Sequence, residues 1–341
     1  MDLPDHITVG RTVQLPTQKR LMIFSGTANE DLAEEVATHL GMKLSRVELS
    51  TFANSETYVR FEDSVRGCDA FVIQSMCDPV DYHVMQQFIM IDALKRASAK
   101  RITAVCPFYA YSRQDRKARG REPITARLLA DFYEAAGADR VLSVDLHTGQ
   151  IQGFFNIPLD HLTALPLLAD YFASELDDEF VIVSPDAGGV RLADKWVQYL
   201  HELYNLNGQV AFMHKRRRKD MRNAVETLAV VGDVKDRICI MVDDMIDTGG
   251  TLTEGAKVLK EAGASEVFAA ATHALLSGPA VDRIKNSVIK QLVVTNTLPL
   301  GSEKEMDKLT VLSIAPTIAQ TIKAVFEEAS VSELFHDKNQ P

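Results

Sequence analysis

The sequence predicts an α/β protein made of two tandem domains of one fold, each a mainly parallel sheet flanked by helices. Short apolar runs alternate with amphipathic helical patterns along the chain, as strands buried on both faces require. The chain also repeats itself, because EAAGADRVLSVDLH (134–147) and KEAGASEVFAAATH (260–273) align without gaps at an offset of 126 residues. The pattern predicts the architecture and the repeat predicts the duplication.

The predicted strands are bounded by helix-like stretches around 28–40 and 80–97 and by later ones of the same kind. They are LMIFSG (21–26), AFVIQS (70–75), RITAVCP (101–107), RVLSVDL (140–146), FVIVSP (180–185), QVAFMH (209–214), RICIMVDD (237–244) and EVFAAATH (266–273). In each repeat a helix ends at a glycine, Gly137 or Gly263, which tolerates the left-handed geometry of a helix C-terminus. A histidine, His147 or His273, closes each repeat, and the apolar surroundings of His273 favour a structural role.

These patterns divide the chain into four parts. Residues 1–18 are polar and unpatterned and form a predicted extension, and the first domain covers 19–164. The second domain covers 165–313, and we expect the segment 314–341 to pack back on the first domain. No low-complexity linker separates the halves, so they should pack closely.

Composition excludes several classes of protein. A net charge of −10 and a pI near 5.4 argue against a duplex nucleic-acid binder, which neutralises phosphates over a broad surface. No apolar stretch resembles a secretory signal or is long enough to span a bilayer, so a cytoplasmic location is expected, with no membrane partner. The four cysteines are widely spaced, which favours buried reduced thiols.

The stretch VDDMIDTGGT (242–251) lies where a strand turns into a helix. Ligands of open parallel sheets bind at such carboxyl ends of strands. Backbone N–H groups of Thr248 to Thr251 can hold a phosphate, and carboxylates of Asp243 and Asp244 can accept hydrogen bonds from a sugar diol. A ribose carrying a 5-phosphate would satisfy both. The alternative is a capping box, in which Thr251 and Glu254 satisfy the helix N-terminus.

Other segments also allow two interpretations. SPDAGGV (184–190) could cradle a diphosphate, with Asp186 as a hard oxygen ligand for a cation, or could form a tight turn capped by that aspartate. SRQDRKARGR (112–121) could be a solvated basic loop. HKRRRKDMRN (214–223) could be a solvated face, a nucleic-acid contact, or a closing loop that neutralises a transferred phosphoryl group.

Taken together, these motifs resemble the class I ribose-phosphate diphosphokinases, also called phosphoribosyl pyrophosphate synthetases. The resemblance rests on VDDMIDTGGT, YSRQDRKARGREPIT (111–125), SVDLHTGQIQGFFNIPLDHL (143–162), SPDAGGV, the Lys-Arg-Arg segment and the final VSELF (331–335). It implies two type I phosphoribosyltransferase-like domains, ATP and ribose 5-phosphate as substrates, and Mg²⁺ as cofactor. It also implies a homohexamer, with phosphate and ADP as effectors and no nucleic-acid partner.

The resemblance also implies roles for particular residues. Catalytic roles go to Lys215 and Arg217, and ATP contacts go to Phe52, Asn54, Ser55, Glu56, Arg113 and Gln114. Contacts to ribose 5-phosphate go to Arg217, Asp243, Asp244, Asp247, Thr248, Gly249, Gly250 and Thr251. Metal ligation goes to His147 and Asp186, and a regulatory site goes to Ser64, Arg66 and Arg121.

One segment departs from the family pattern, in which a proline often follows Lys-Arg-Arg. Here Arg218, Lys219 and Asp220 follow instead, so the arginine that reaches the phosphates is not fixed by the resemblance. Two rival functions remain. A phosphoribosyltransferase would share the 242–251 turn but would not need SRQD, and a non-catalytic associated subunit would be expected to lack part of the catalytic set.

Overall fold

The structure is a computed structural model that describes residues 19–176, 179–216 and 227–335, with the backbone alone at 215, 216, 227, 334 and 335. Its first half contains the following helices and strands. They are β1 (Leu21–Ser25), α1 (Glu30–His39), β2 (Val47–Thr51), β3 (Thr57–Phe61), β4 (Asp69–Ile73), α2 (Val80–Arg96), β5 (Arg101–Cys106), α3 (Thr125–Ala136), β6 (Arg140–Val144) and β7 (Leu159–Leu162).

The second half continues the alternation. It contains α4 (Leu165–Ala173), β8 (Phe180–Ser184), α5 (Val190–Tyr204), β9 (Gln209–Arg216), β10 (Thr227–Val231), β11 (Ile238–Ile246), α6 (Gly250–Glu261), β12 (Glu266–Ala274), α7 (Ala280–Lys285), β13 (Gln291–Thr295), β14 (Leu309–Leu312) and α8 (Ala315–Glu327). Short 3-10 helices lie at Gly149–Phe154, Ser302–Lys304 and Ser332–Phe335.

Two sheets confirm the predicted α/β class. The first has the order β1-β4-β5-β6-β7 and is parallel throughout, and the second has the order β10-β9-β8-β11-β12-β13-β14. In the second sheet β10 is antiparallel to β9 and the other pairs are parallel. The third sheet is the antiparallel hairpin β2-β3.

The sequence repeat is also a structural repeat. Helix α3 and strand β6 in the first half correspond to α6 and β12 in the second, and in both sheets the strand before the helix is hydrogen-bonded to the strand after it. Gly137 has φ +109° and Gly263 has φ +98°, so each ends its helix in the left-handed region, as predicted.

The two halves share an apolar core. One cluster of buried side chains combines Ile23 and Phe71 of the first sheet with Phe180 and Ile240 of the second. Helices α4, α5 and α8 supply further members of the same cluster, and α8 packs on α1. Because this core crosses from one sheet to the other, the carboxyl ends of the central strands are held close together.

A buried polar seam fixes the same junction. The Ser75 hydroxyl donates to the carbonyl oxygen of Thr297 at 2.7 Å, and the Thr272 hydroxyl donates to the Asp145 carboxylate at 2.6 Å. His273 is fully buried and contacts the carbonyl oxygens of Val144 and Asp145 at 3.1 and 3.0 Å. The His273 ring also packs edge-on against Phe108, with ring centroids 5.0 Å apart, so its surroundings combine apolar packing with polar partners.

Candidate active site

The acidic pair predicted to hold a sugar lies at the end of β11. Asp243 is paired in register with Ala271 of β12, and the N–H of Asp244 donates to Asp243 Oδ1 at 2.9 Å. Burial, followed by the negative charge of Asp244, raises the pKa of Asp243 well above its usual range. The neutral carboxyl of Asp243 is therefore favoured without a ligand, and a ligand that donates hydrogen bonds or carries positive charge would stabilise its ionised form.

The pKa of Asp244 is shifted in the opposite direction, because Asp244 contacts His147. The imidazole Nδ1–H donates to Asp244 Oδ2 at 2.8 Å. Burial pushes the pKa of Asp244 upward, but the hydrogen bond and charge of His147 outweigh it and leave that pKa below its usual value. The same hydrogen bond raises the pKa of His147. The ionised state of each group is thus stabilised by the other.

A cavity of about 450 Å³ is lined by these groups and by Gly188 and Gly189 of the SPDAGGV turn. Its acidic walls come from Asp145, Asp186, Asp243 and Asp244, and His147 lies beside them. Basic side chains face the same space. They are Arg116, Arg191 and Lys195. The mixture of carboxylates and cations suits a ligand that combines hydroxyl and phosphate groups.

The turn after β11 contains residues predicted to hold a phosphate. Gly249 has φ +69° and precedes the first residue of α6, and it is largely buried. Within the described ranges, the N–H groups of residues 248–251 have no protein acceptor. Thr251 makes no side-chain capping bond, because the N-cap position is Gly249. The capping box with Glu254 is therefore wrong, and the anion-binding interpretation retains its donors.

The turn around Asp186 combines both interpretations offered for it. Asp186 Oδ1 accepts the N–H groups of Gly188 and Gly189 at 2.7 and 3.1 Å, as a capping aspartate would. The residue is nevertheless exposed and lines the cavity with His147. A carboxylate has two oxygens and several lone pairs, so Asp186 can cap the turn and also face a ligand.

The SRQD turn of the first half meets the glycine turn of the second. Arg113 Nη1 donates to Asp247 Oδ2 at 2.8 Å. Burial would raise the pKa of Asp247, but hydrogen bonds from Ser277 and Arg113 outweigh it and lower that pKa. Gln114 is held at the start of α3, where its side chain accepts the Thr125 hydroxyl at 2.5 Å. The structure thus brings a predicted ATP residue into contact with a predicted ribose 5-phosphate residue.

The other predicted ATP residues lie at the tip of the β2-β3 hairpin. The tip is ordered by its own hydrogen bonds, from Phe52 N–H to Glu56 O and from Ser55 N–H to Phe52 O, both 2.8 Å, and Asn54 Oδ1 accepts the Glu56 N–H. Phe52 is 56% exposed and packs edge-on against Tyr58. In the described part of the chain no hydrogen bond joins this tip to the turn that contains Arg113 or to the turn that contains Asp247.

Comparisons with known proteins indicate the family of the chain. Residues 21–137 match the family model described as the N-terminal domain of ribose phosphate pyrophosphokinase, and residues 213–336 match the phosphoribosyl synthetase-associated domain. A ribose-phosphate pyrophosphokinase of Streptomyces coelicolor is 56% identical over 94% of this chain and 98% of its own. The Mycobacterium leprae protein of that name is 53% identical over 93% of this chain and 96% of its own.

The chain belongs to the ribose-phosphate pyrophosphokinase family. It is an enzyme, a kinase-type transferase of nucleotide biosynthesis. The crystal structure of a phosphoribosylpyrophosphate synthetase from Mycobacterium smegmatis superposes with a TM-score of 0.84 at 51% identity. The match covers 91% of this chain and all of that one. Among the described residues, no helix is long and apolar enough to cross a membrane.

Two catalytic predictions for this pyrophosphokinase-family enzyme fall at the edge of what the structure describes. Lys215 lies on β9, where its backbone pairs with Leu228 of β10. Strand β9 therefore runs two residues beyond the predicted end at His214, because β10 supplies a pairing partner that the sequence pattern did not reveal. Arg217, together with Arg218, Lys219 and Asp220, lies outside the described residues.

The predicted regulatory residues lie in two loops of the first half. Ser64 and Arg66 are exposed between β3 and β4, and their carbonyl oxygens accept hydrogen bonds from Arg20. Arg121 is exposed in the loop before α3 and has φ +71°. The structure places these side chains at the surface and leaves their role a prediction.

Arg191 and Lys195 were missed at the sequence level. They lie four residues apart on α5, directly after the SPDAGGV turn, and both line the cavity. Burial, followed by the charge of Arg191, lowers the pKa of Lys195. Their spacing on one helical face behind a glycine turn is the signal that could have identified them.

Proposed function

We propose that the enzyme transfers the β,γ-diphosphoryl group of ATP to the 1-hydroxyl of ribose 5-phosphate, giving 5-phospho-α-D-ribose 1-diphosphate and AMP. The ribose O1 attacks the β-phosphorus and forms the O1–Pβ bond. The bond from the β-phosphorus to the α,β-bridging oxygen breaks, AMP leaves with the electron pair, and the hydroxyl proton passes to solvent.

The observation that carries this proposal is the Arg113–Asp247 contact of 2.8 Å. It joins the turn after β5, which contains Arg113, to the turn after β11, which contains Asp247; these are called the nucleotide turn and the sugar-phosphate turn below. A two-substrate reaction requires both reactants to meet. Asp243 and Asp244 would orient the ribose diol, the N–H groups of residues 248–251 would hold its 5-phosphate, and Arg113 and Gln114 would hold the ATP phosphates.

Lys215 and Arg217 are proposed to neutralise the transferred group. Phosphoryl transfer depends mainly on positioning and on stabilising charge that develops on phosphate oxygens. Lys215 lies on β9, between β10 and β8, and β8 leads into the SPDAGGV turn. The basic residues that follow Arg216 lie outside the described part of the chain, so their closing over the ligand stays a prediction from the sequence.

The donor set fits Mg²⁺. No group of three or more His, Cys, Asp or Glu among the described residues is arranged to hold a metal ion. Mg²⁺ usually keeps several waters and takes one or two carboxylates plus substrate phosphates, so a small donor set suffices. The pKa of Asp243 is raised partly by the charges of Asp244 and Asp186, an excess of negative charge that a divalent cation would offset. Asp186 would hold the ion, with His147 as a second ligand through Nε2 of its neutral ring, and the ion would neutralise phosphate charge.

The domain division and the assembly are also part of the proposal. The two sheets would be the cores of domains 19–164 and 165–313, with 314–341 returning to the first through α8. The tip with Phe52 is exposed, and no hydrogen bond among the described residues joins it to the turns that contain Arg113 and Asp247, so a second copy of the chain would complete the nucleotide site in a homohexamer. Phosphate and ADP would act at Ser64, Arg66 and Arg121.

The deciding experiment supplies purified enzyme with ATP, ribose 5-phosphate and Mg²⁺ and follows products by ³¹P NMR. AMP and a diphosphate on C1 of ribose are expected in equal amounts, and neither should form when ribose 5-phosphate is left out. An absence of AMP would contradict the proposal. Turnover by the chain alone would also exclude a non-catalytic subunit.

A further inference from the structure

A segment that follows β12 is hydrogen-bonded to the carbonyl oxygens of the sugar-phosphate turn. It runs from Leu276 into helix α7 and donates to three successive carbonyl oxygens of the turn. The bonds are Leu276 N–H to Ile246 O at 3.0 Å, Ser277 N–H to Asp247 O at 2.9 Å, and Arg283 Nη1 to Thr248 O at 2.9 Å. The carbonyl oxygens of residues 246–248 are therefore all engaged by one segment.

This support determines which way the turn presents its donors. The carbonyl of the following residue, Gly249, accepts the N–H and the hydroxyl of Thr253 at 3.0 and 2.9 Å. With those oxygens held on one side, the N–H groups of residues 248–251 remain without a protein acceptor in the described ranges. Successive N–H groups arranged in this way form a concave site for an anion.

Arg283 differs from the other supporting groups. Leu276 and Ser277 act through their backbones, whereas Arg283 acts through a side chain that reaches back 35 residues along the chain. Its guanidinium is also close to the main chain, because a Cβ added to Gly250 would lie 3.3 Å from Nη1. It thus contributes a hydrogen bond at the turn and a positive charge behind the phosphate-binding face.

We propose that Arg283 is a positioning residue for ribose 5-phosphate. It fixes the Thr248 carbonyl so that the neighbouring N–H groups face the 5-phosphate, and its charge adds to the attraction of that phosphate without touching it. An ordinary surface arginine would have no such selective effect. The inference rests on the proposed function, since it needs the 248–251 turn to be the site of the sugar phosphate.

The test compares wild-type enzyme with Arg283→Ala, Arg283→Lys and a control, Arg96→Ala, which removes an exposed arginine paired with Asp92 on α2. Ribose 5-phosphate is varied at saturating ATP, and then ATP at saturating ribose 5-phosphate. Arg283→Ala should raise KM for ribose 5-phosphate about tenfold, or about 1.4 kcal/mol, and change kcat and the ATP KM less than about threefold. Arg283→Lys should recover part of the loss.

Two further measurements separate positioning from a loss of folding. Guanidinium chloride at a low concentration should restore ribose 5-phosphate affinity to Arg283→Ala, whereas the same concentration of sodium chloride should not. Amide hydrogen exchange without substrate should be faster at residues 248–252 of Arg283→Ala and unchanged in the first sheet. If Arg283→Ala unfolds at a much lower temperature than wild type, the ribose 5-phosphate KM and the exchange rates of Arg283→Lys test the proposal instead.

The inference is overturned if Arg283→Ala leaves the ribose 5-phosphate KM unchanged, or raises both substrate KM values equally. Asp243→Asn distinguishes this failure from failure of the proposed site. If Asp243→Asn raises the ribose 5-phosphate KM but Arg283→Ala does not, only the inference about Arg283 fails. If neither variant changes it, the sugar phosphate binds elsewhere and the proposed site is wrong.

Discussion

The two halves of the repeat place different chemistry at the same point of the same fold. After β5 the chain makes a long basic turn that includes Arg113, and after β11 it makes a short acidic turn with Gly249 and Gly250. Both turns end at the start of a helix, and both helices lead to a strand paired with the first. The duplicated fold supplies the position, and the turn inserted there determines the ligand.

The repeated histidines show the same division. His147 and His273 are 126 residues apart; His273 lies near the end of β12, and His147 lies three residues after the end of β6. His147 is partly exposed beside Asp244, which raises its pKa, whereas burial lowers the pKa of His273. One histidine belongs to the candidate site and the other to the seam between the sheets. Histidines at equivalent positions of the repeat therefore have different roles.

The largest expected effect belongs to a group present in the second half only. Lys215→Ala should lower kcat about a hundred- to thousandfold, since a cation that stabilises phosphate charge in the transition state would be lost. The KM for ribose 5-phosphate should change little, because the turn that binds it is intact. Steady-state kinetics with both substrates checks this, with Lys257→Ala on the exposed face of α6 as control. A rise in KM with unchanged kcat would assign Lys215 to binding instead.

The next effect sharpens the contrast between the turns. Asp243→Asn should raise the KM for ribose 5-phosphate about thirtyfold, because the carboxylate that ribose hydroxyls would stabilise is replaced by an amide that accepts fewer hydrogen bonds. ATP affinity should stay within about threefold of wild type. Steady-state kinetics measures the KM, and titration calorimetry with each ligand measures the two affinities. Loss of ATP affinity with ribose 5-phosphate binding intact would reverse the assignment of the two halves.

A smaller effect concerns the buried histidine. Burial favours the neutral ring of His273 and outweighs the two carbonyl oxygens that accept its Nε2–H, which favour the charged form. Because burial lowers its pKa, the stability it contributes is present above about pH 6.5, the ordinary pKa of histidine, and is lost as pH falls below that value.

His273→Gln should therefore reduce the free energy of unfolding by about 1–2 kcal/mol at pH 7.5 and by less at pH 5.5. Urea unfolding at the two pH values measures the difference. A reduction that grows as pH falls would show that His273 is stabilised in its charged form. His201→Gln, near the end of α5, serves as the control.

The smallest expected effect tests the contact between the two turns. Arg113 and Asp247 are half-exposed and partly exposed, so their ion pair should contribute about 0.5–1 kcal/mol to stability. A double-mutant cycle with Arg113→Ala and Asp247→Ala measures that coupling without substrates. Arg113→Ala should also raise the ATP KM. A coupling of zero would mean that the two turns are held together by the apolar core and the polar seam alone.

The periodicity of the sequence predicted those parts of the fold that depend on local pattern. The stretch 80–97 became α2 at Val80–Arg96, and both repeat glycines adopt the left-handed geometry required of them. The acidic pair and the glycine turn were identified because both lie in one short segment. Residues supplied by distant segments were not visible in this way.

Three findings show what the sequence pattern could not predict. Arg283 reaches Thr248 across 35 residues, and nothing near either residue indicates that they meet. The polar seam of His273 depends on how two sheets pack, which periodicity does not encode. Strand β9 continues through Arg216 because β10 pairs with it, although local charge favoured a loop. Each depends on a tertiary contact that overrides or extends the local pattern.

The central claim is that the halves divide the substrates, and hydrogen exchange with one ligand at a time tests it most directly. Ribose 5-phosphate alone should slow amide exchange at residues 247–252 and leave 111–115 unchanged. A non-hydrolysable ATP analogue alone should slow exchange at 111–115 and at the hairpin tip 52–56. Protection of 111–115 by ribose 5-phosphate, with 247–252 unaffected, would contradict the account.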